Sequence, residues 1–135
     1  MITAYFDGGA RSNPGPGGYG VYIVDEQNTL LAELSGSLGI TTNNIAEYTG
    51  LIAALQWAVD HGVKQIAIKG DSLLIIEQMR GNYKVKNEGL KPLHMKARML
   101  VMQIGDVTFE HVRRELNKDA DRLSNVGMDG NGELR

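Results

Sequence analysis

Ile2-Thr3-Ala4-Tyr5-Phe6-Asp7-Gly8-Gly9, then Ser12-Asn13-Pro14-Gly15-Pro16-Gly17-Gly18, then Tyr19-Gly20-Val21-Tyr22-Ile23-Val24: the reading of this stretch decides the fold. Residues 2–7 mix β-branched, aromatic and small side chains and predict a strand. The Gly- and Pro-dense run at 8–18 predicts a loop too long for a tight hairpin. Such a loop is a candidate to lie against the backbone of a ligand. Residues 19–24 predict a second strand, 25–29 a turn and 30–38 a third strand. Short connections make the three an antiparallel meander.

Downstream, Asn43-Asn44 opens a helix to about Asp60, with Leu51, Ala54, Leu55, Ala58 and Val59 as its apolar face and Gly62 as its stop. A fourth strand at 63–69 and a helix at 71–79 follow. After Gly81 comes an irregular basic stretch, then a helix from 88 or 89 to 102 and a fifth strand at 107–112. Asn117 is placed to cap a last helix to about Val126, ahead of a Gly-rich tail expected to fray. The order βββαβααβα predicts an α/β fold, a mixed five-stranded sheet with helices on both faces.

The 135 residues, 42% of them hydrophobic, suffice for one self-supporting domain and not for two. With no cysteine, disulfides and thiolate metal sites are excluded, so any metal must sit on oxygen or imidazole. The first residues lack the basic flank and apolar core of a signal peptide, and no apolar run is long enough to span a membrane. A cytoplasmic protein is expected. The net charge of −2 argues against a protein that coats nucleic acid by bulk attraction, but charge is segregated. Between Arg80 and Arg98 lie Arg80, Lys84, Lys86, Lys91, Lys96 and Arg98 against the single acid Glu88.

Four carboxylates stand in places that ask for a reason. Asp7 ends the first strand, where a turn Asp before Gly-Gly is an ordinary reading. Glu47 could close a capping box from Asn44, yet it heads the column Leu51, Ala54, Ala58 and so overlies the buried face, where an acid is costly unless paired or metal-bound. Asp71 could be an N-cap. It also stands at the carboxyl end of the fourth strand, where open α/β sheets bind ligands, and it heads the column Leu74, Ile75, Gln78. Asp7 and Asp71 become neighbours if strands one and four are adjacent and parallel. Asp121, near the start of the last helix, is favoured there by the helix dipole alone, as is Asp119.

Taken together, the surroundings of these acids resemble one family over nearly the whole chain. Phe6-Asp7-Gly8-Gly9 with Asn13-Pro14-Gly15-Pro16-Gly17-Gly18-Tyr19-Gly20 is similar to the opening of type 1 ribonucleases H. Thr41-Thr42-Asn43-Asn44-Ile45-Ala46-Glu47 resembles their TTNNxxE segment, Gly70-Asp71-Ser72 their strand-four aspartate, and the run from Asn117 to Leu123 their closing NxxADxL segment. The resemblance implies a ribonuclease H-like sheet of order 3-2-1-4-5 with strand two antiparallel, and a catalytic domain at 1–127 followed by a tail at 128–135. It implies an endonuclease that cuts the RNA strand of RNA–DNA hybrids by a two-metal-ion mechanism, leaving 5′-phosphate and 3′-hydroxyl ends. The metal set would be Asp7, Glu47, Asp71 and Asp121, holding two Mg²⁺ ions with Mn²⁺ as a substitute. Two ions suit phosphodiester hydrolysis because one activates water while the other stabilises the leaving oxygen.

By the same resemblance, Asn13, Asn43 and Asn44 would meet the minor groove of the hybrid, and Thr42 with Asn87 would grip a DNA-strand phosphate. Ile40 stands where many relatives have an Arg, which weakens that pocket. Many relatives also carry a long basic protrusion; here only residues 81–89 take its place, leaving Lys84 and Lys86 to bind. The His that many have before the last aspartate is missing, with Arg114 the candidate stand-in and a plain solvated Arg the simpler reading. A monomer with no obligate protein partner is expected. The competing readings are a nuclease or transposase domain of the same fold, a domain that grips hybrid without cutting, and a purely structural α/β domain. The last leaves the inward acids unexplained.

Overall fold

The computed structural model describes residues 1–130. Its elements are β1 (Ile2–Ala10), β2 (Gly15–Val24), β3 (Leu30–Thr41), α1 (Asn43–Asp60), β4 (Gln65–Gly70), α2 (Leu73–Arg80), α3 (Lys91–Ile104), β5 (Asp106–His111) and α4 (Lys118–Met128), with a 3₁₀ turn at Arg114–Leu116. The sheet order is β3-β2-β1-β4-β5. Strand β2 is antiparallel to both neighbours, while β1, β4 and β5 run parallel. The expected topology is therefore the observed one.

Phe6, Val21, Ile23, Ile66 and Ile68 project from the sheet into a core shared with Tyr48, Leu51 and Leu55 of α1. The column Leu51, Ala54, Leu55, Ala58 is fully buried, as its helical spacing predicts, and Val59 sits at the edge of that stripe, partly buried. Helix α3 packs outside α1, and α4 covers the opposite face of β1, β2 and β3. On that second face Ser35 donates to the Leu123 carbonyl at 2.6 Å and Ser37 to the Gly127 carbonyl at 2.5 Å.

The largest correction concerns residues 8–18. Most of them are strand: β1 continues to Ala10 and β2 begins at Gly15, with Gly8 paired to Tyr19 and Gly9 to Gly18. The connection shrinks to 11–14. The glycines answer to packing. A Cβ on Gly8 would lie 2.3 Å from the Ala46 carbonyl carbon of α1, and one on Gly20 would lie 2.4 Å from the Ala120 oxygen of α4. Both helices thus approach the sheet more closely than any side chain would allow.

Several boundaries also move. Strand β3 runs to Thr41 instead of 38, because β2 is long enough to pair with it throughout. Helix α2 is capped by Ser72, whose Oγ accepts from the Ile75 N–H, so it begins at Leu73 and not at Asp71. Leu74, expected beneath Asp71, is exposed, while Ile75 and Gln78 are buried. Helix α3 begins at Lys91 beside Pro92, a residue suited to a first turn, and continues to Ile104. Helix α4 extends through Met128. The remainder of the Gly-rich tail, 131–135, lies outside the described residues.

Because Gly20 meets helix backbone, Gly20→Ala should lower the unfolding free energy by about 2 kcal/mol or more. A Cβ on Gly9 meets only side chains at ordinary contact distance, Met128 at 3.5 Å and Asn43 at 3.7 Å. Gly9→Ala should therefore cost far less, and urea denaturation of the two variants checks the contrast.

Candidate active site

The parallel register of β1 and β4 pairs Phe6 with Gly70. Asp7 and Asp71 therefore follow at the carboxyl ends of adjacent strands. Asp7 is 9% exposed and faces α4, where the Ser124 Oγ lies 3.3 Å from its Oδ2. Glu47 arrives from the other side, one turn into α1. That helix is capped by Thr42, whose Oγ1 accepts from the Ile45 N–H at 3.3 Å. The capping box from Asn44 is not formed, so the Glu47 carboxylate is left to the cleft.

One carboxylate oxygen each from Asp7, Glu47 and Asp71 lies within 4.8 Å of the others. Asp121 lies outside that trio but lines the same cleft, an opening of about 530 Å³ that also takes in Arg11, Asn43, Asn44, Arg114, Ser124 and Asn125. Asp119 instead pairs with Arg122 at 3.5 Å, away from this cleft. Burial first, then the charge of Asp71, pushes the Asp7 carboxyl up to about 7, with Asp121 adding to the rise and the Gly8 N–H opposing it. Burial followed by the charges of Asp7 and Asp71 raises Glu47 to about 8, against the pull of Ser72 and Arg114. Every ligand atom in the trio is a carboxylate oxygen, and the charges repel without a cation. That donor set fits a hard divalent ion such as Mg²⁺ or Mn²⁺.

A second cleft, about 340 Å³, is lined by Asn13, Thr42, Asn44, Ile45, Asn87 and Leu90. It unites Thr42 with Asn87, which are distant in sequence. The Asn43 Oδ1 accepts from the Ala10 N–H at 2.8 Å, and the Asn13 Oδ1 accepts from the Asn43 N–H at 3.1 Å. Both side chains therefore tie the hairpin tip to α1 while their amide NH₂ groups remain donors. Asn87 also shapes its loop, accepting from the Gly89 N–H at 2.8 Å. Lys84 and Lys86 are exposed, and Lys84 borders a different, largely apolar cleft with Tyr83, His94 and Met95.

Two residues of the site carry no site role when read from sequence, where Asn117 is a helix cap and Ser124 is unremarked. Asn117 stands at the N-cap of α4 but makes no cap bond. It is 1% exposed, and its Nδ2 donates to the Phe6 carbonyl at 3.0 Å and to Asp71 Oδ2 at 3.4 Å. Ser124, also 1% exposed, touches Asp7. Its spacing of three from Asp121 places both on one side of a helix, but only the docking of α4 shows that this side meets Asp7.

A mixed sheet of order 3-2-1-4-5 with a carboxylate cleft at the ends of β1 and β4 defines the ribonuclease H class of fold. Residues 5–127 match the Reverse transcriptase-like family. The chain is 46% identical over 124 residues to Bifunctional protein Rv2228c of Mycobacterium tuberculosis, covering 91% of this chain and 34% of that protein. It is 39% identical over 128 residues to Ribonuclease HI of Halobacterium salinarum, covering 95% of this chain and 64% of that one. A solved LC11-RNase H1 in complex with RNA/DNA hybrid superposes with a TM-score of 0.92 at 43% identity, over 96% of this chain and 98% of that one. This chain belongs to the type 1 ribonuclease H family. It spans about a third of the length of the mycobacterial relative.

The raised Asp7 carboxyl sets a sign for stability without metal. Below its ordinary value of 3.8 Asp7 is protonated in folded and unfolded chains alike. From there to about 7 only the folded chain keeps the proton, so the contribution of Asp7 to stability falls as pH rises and is fully lost above about 7. Asp7→Asn removes that loss and also relieves Glu47. In EDTA, the stability difference between Asp7→Asn and the native chain should widen in favour of the variant from pH 4 to about 8, reaching on the order of a few kcal/mol. Urea denaturation across pH measures it; a constant difference contradicts the assignment.

Proposed function

We propose that this chain is an endonuclease that hydrolyses the RNA strand of RNA–DNA hybrids, leaving 5′-phosphate and 3′-hydroxyl ends, with residues 1–127 as the catalytic unit. The observation that carries the reading is the convergence of Asp7, Glu47 and Asp71 oxygens within 4.8 Å, with Asp121 beside them in one open cleft. Family membership and the hybrid bound to LC11-RNase H1 support the substrate.

Asp7, Glu47, Asp71 and Asp121 would hold two Mg²⁺ ions, with Mn²⁺ as a substitute. Such a pair supplies a nucleophilic water near neutral pH and stabilises the leaving 3′-oxygen. Asp7, set between α1 and α4, would be the shared ligand of this set. Glu47 would meet the ribose 2′-hydroxyl, the group that separates RNA from DNA. Thr42 and Asn87, which share a cleft, would offer neutral donors to a phosphate of the DNA strand, while Asn13 and Asn44 beside them would meet the minor groove. Asn43, fixed through its Oδ1, keeps its amide for the minor groove. Lys84 and Lys86 add phosphate contacts from the loop that precedes α3. Arg114, whose charge already lowers the proton affinity of Glu47, is the candidate auxiliary residue. No described helix is long and apolar enough to cross a membrane. We take the chain to act as a cytoplasmic monomer.

Cleavage of end-labelled hybrid in Mg²⁺ tests the reading. Asp7→Asn should lose more than nine-tenths of the activity while still binding hybrid. Replacing the RNA strand by DNA should eliminate cutting by the native chain. Retained activity in the variant, or equal cleavage of a DNA duplex, overturns the proposal.

A further inference from the structure

We propose that Ser124 is a positioning residue for the carboxylate set, its hydroxyl tying Asp7 to α4 and so fixing where Asp121 joins the other three around a divalent cation. The inference rests on the carboxylate reading of the site. Ser124 is 1% exposed, and its Oγ lies 3.3 Å from Asp7 Oδ2 and 2.8 Å from the Asp121 carbonyl oxygen. Its hydroxyl therefore stands between two acceptors, the side chain at the end of β1 and the backbone of the residue that carries the fourth carboxylate.

Three of the four acids come into register through strand ends and α1. Asp121 does not, since it sits on a helix docked from the opposite face, and its place depends on how α4 meets the sheet. Ser35 and Ser37 hold α4 through the carbonyls of Leu123 and Gly127. Gly20, the β2 partner of Asp7, lets the helix backbone approach at Ala120 and Ser124. None of these contacts reaches a carboxylate. Ser124 does, and it does for Asp7 what Asn117 does for Asp71.

A serine hydroxyl has one proton, so it can donate to the Asp121 carbonyl or to the Asp7 carboxylate but not to both. A carboxylate is the stronger acceptor. With a cation on Asp7, the proton belongs to Asp7, and the hydroxyl fixes the carboxylate orientation. Hydrogen-bond partners of this kind typically change metal affinity 10–100-fold when removed. The competing reading is a helix back-bond from Ser124 to residue 121 with no bearing on the metal.

The test is calorimetric titration of Mn²⁺ alone into the metal-free chain, without nucleic acid, for the native protein and Ser124→Ala, Ser35→Ala and Asp7→Asn. Ser124→Ala should weaken Mn²⁺ binding about 10-fold. Ser35→Ala, which loosens α4 without touching a carboxylate, should lower the melting temperature yet leave Mn²⁺ affinity within about twofold of native. In cleavage assays Ser124→Ala should need more Mn²⁺ for half-maximal rate, with a smaller change once metal saturates. Native affinity in Ser124→Ala overturns the proposal, and so does equal weakening in Ser35→Ala. Loss of Mn²⁺ binding in Asp7→Asn upholds the site whichever way Ser124 falls; native binding in Asp7→Asn removes the site and this inference together.

Discussion

Two helix backbones meet the sheet beside Asp7 at distances that only glycine permits. Gly8, next in sequence, lets α1 press down at Ala46 and Glu47. Gly20, the partner of Asp7 across the strand pair, lets α4 press down from the other face at Ala120 and Ser124. The cleft depends on this double approach, since a Cβ at either position would push a carboxylate-bearing helix away from β1. The parallel pairing of β1 with β4 then supplies Asp71 without further adjustment.

The arrangement works against electrostatics. Asp7 and Glu47 are pushed up to about 7 and about 8 by burial and by their neighbours' charge, so the cluster is strained whenever it is ionised and metal-free. The scaffold around it is tied down by its own hydrogen bonds, with Asn117 Oδ1 a buried polar atom left without a partner among the described residues. Asn117 holds Asp71 and the end of β1, Thr42 caps α1, Ser72 caps α2, and Asn43 and Asn13 tie the hairpin tip to α1. A divalent ion held there would relieve the repulsion that this rigid frame maintains.

Much of this was legible in the sequence. The spacing of Leu51, Ala54, Leu55 and Ala58 declared the buried face of α1, and with it the inward lean of Glu47. Short connections declare the meander, whereas the parallel β1–β4 pair that makes Asp7 and Asp71 neighbours comes only from the family resemblance. The run at 8–18 reads as a loop because glycine and proline are locally turn residues, whereas the purpose of Gly8 and Gly18 is contact with α1 and α4, distant in sequence. Asn117 and Ser124 were hidden for the same reason. A cap-forming Asn and a helical Ser have ordinary local explanations, and only the docking of α4 turns them toward Asp71 and Asp7. Thr42 and Asn87 were paired through family resemblance, and the fold brings them to one cleft.

The central claim is that this convergence of carboxylates exists to hold divalent metal. Anomalous diffraction from crystals of the native chain soaked in Mn²⁺ at pH 8 tests it most directly. The account predicts a strong peak at direct-ligand distance from Asp7 and from at least one of Glu47 and Asp71. Ordered Mn²⁺ elsewhere on the molecule, with no density at the Asp7 cluster, would contradict it.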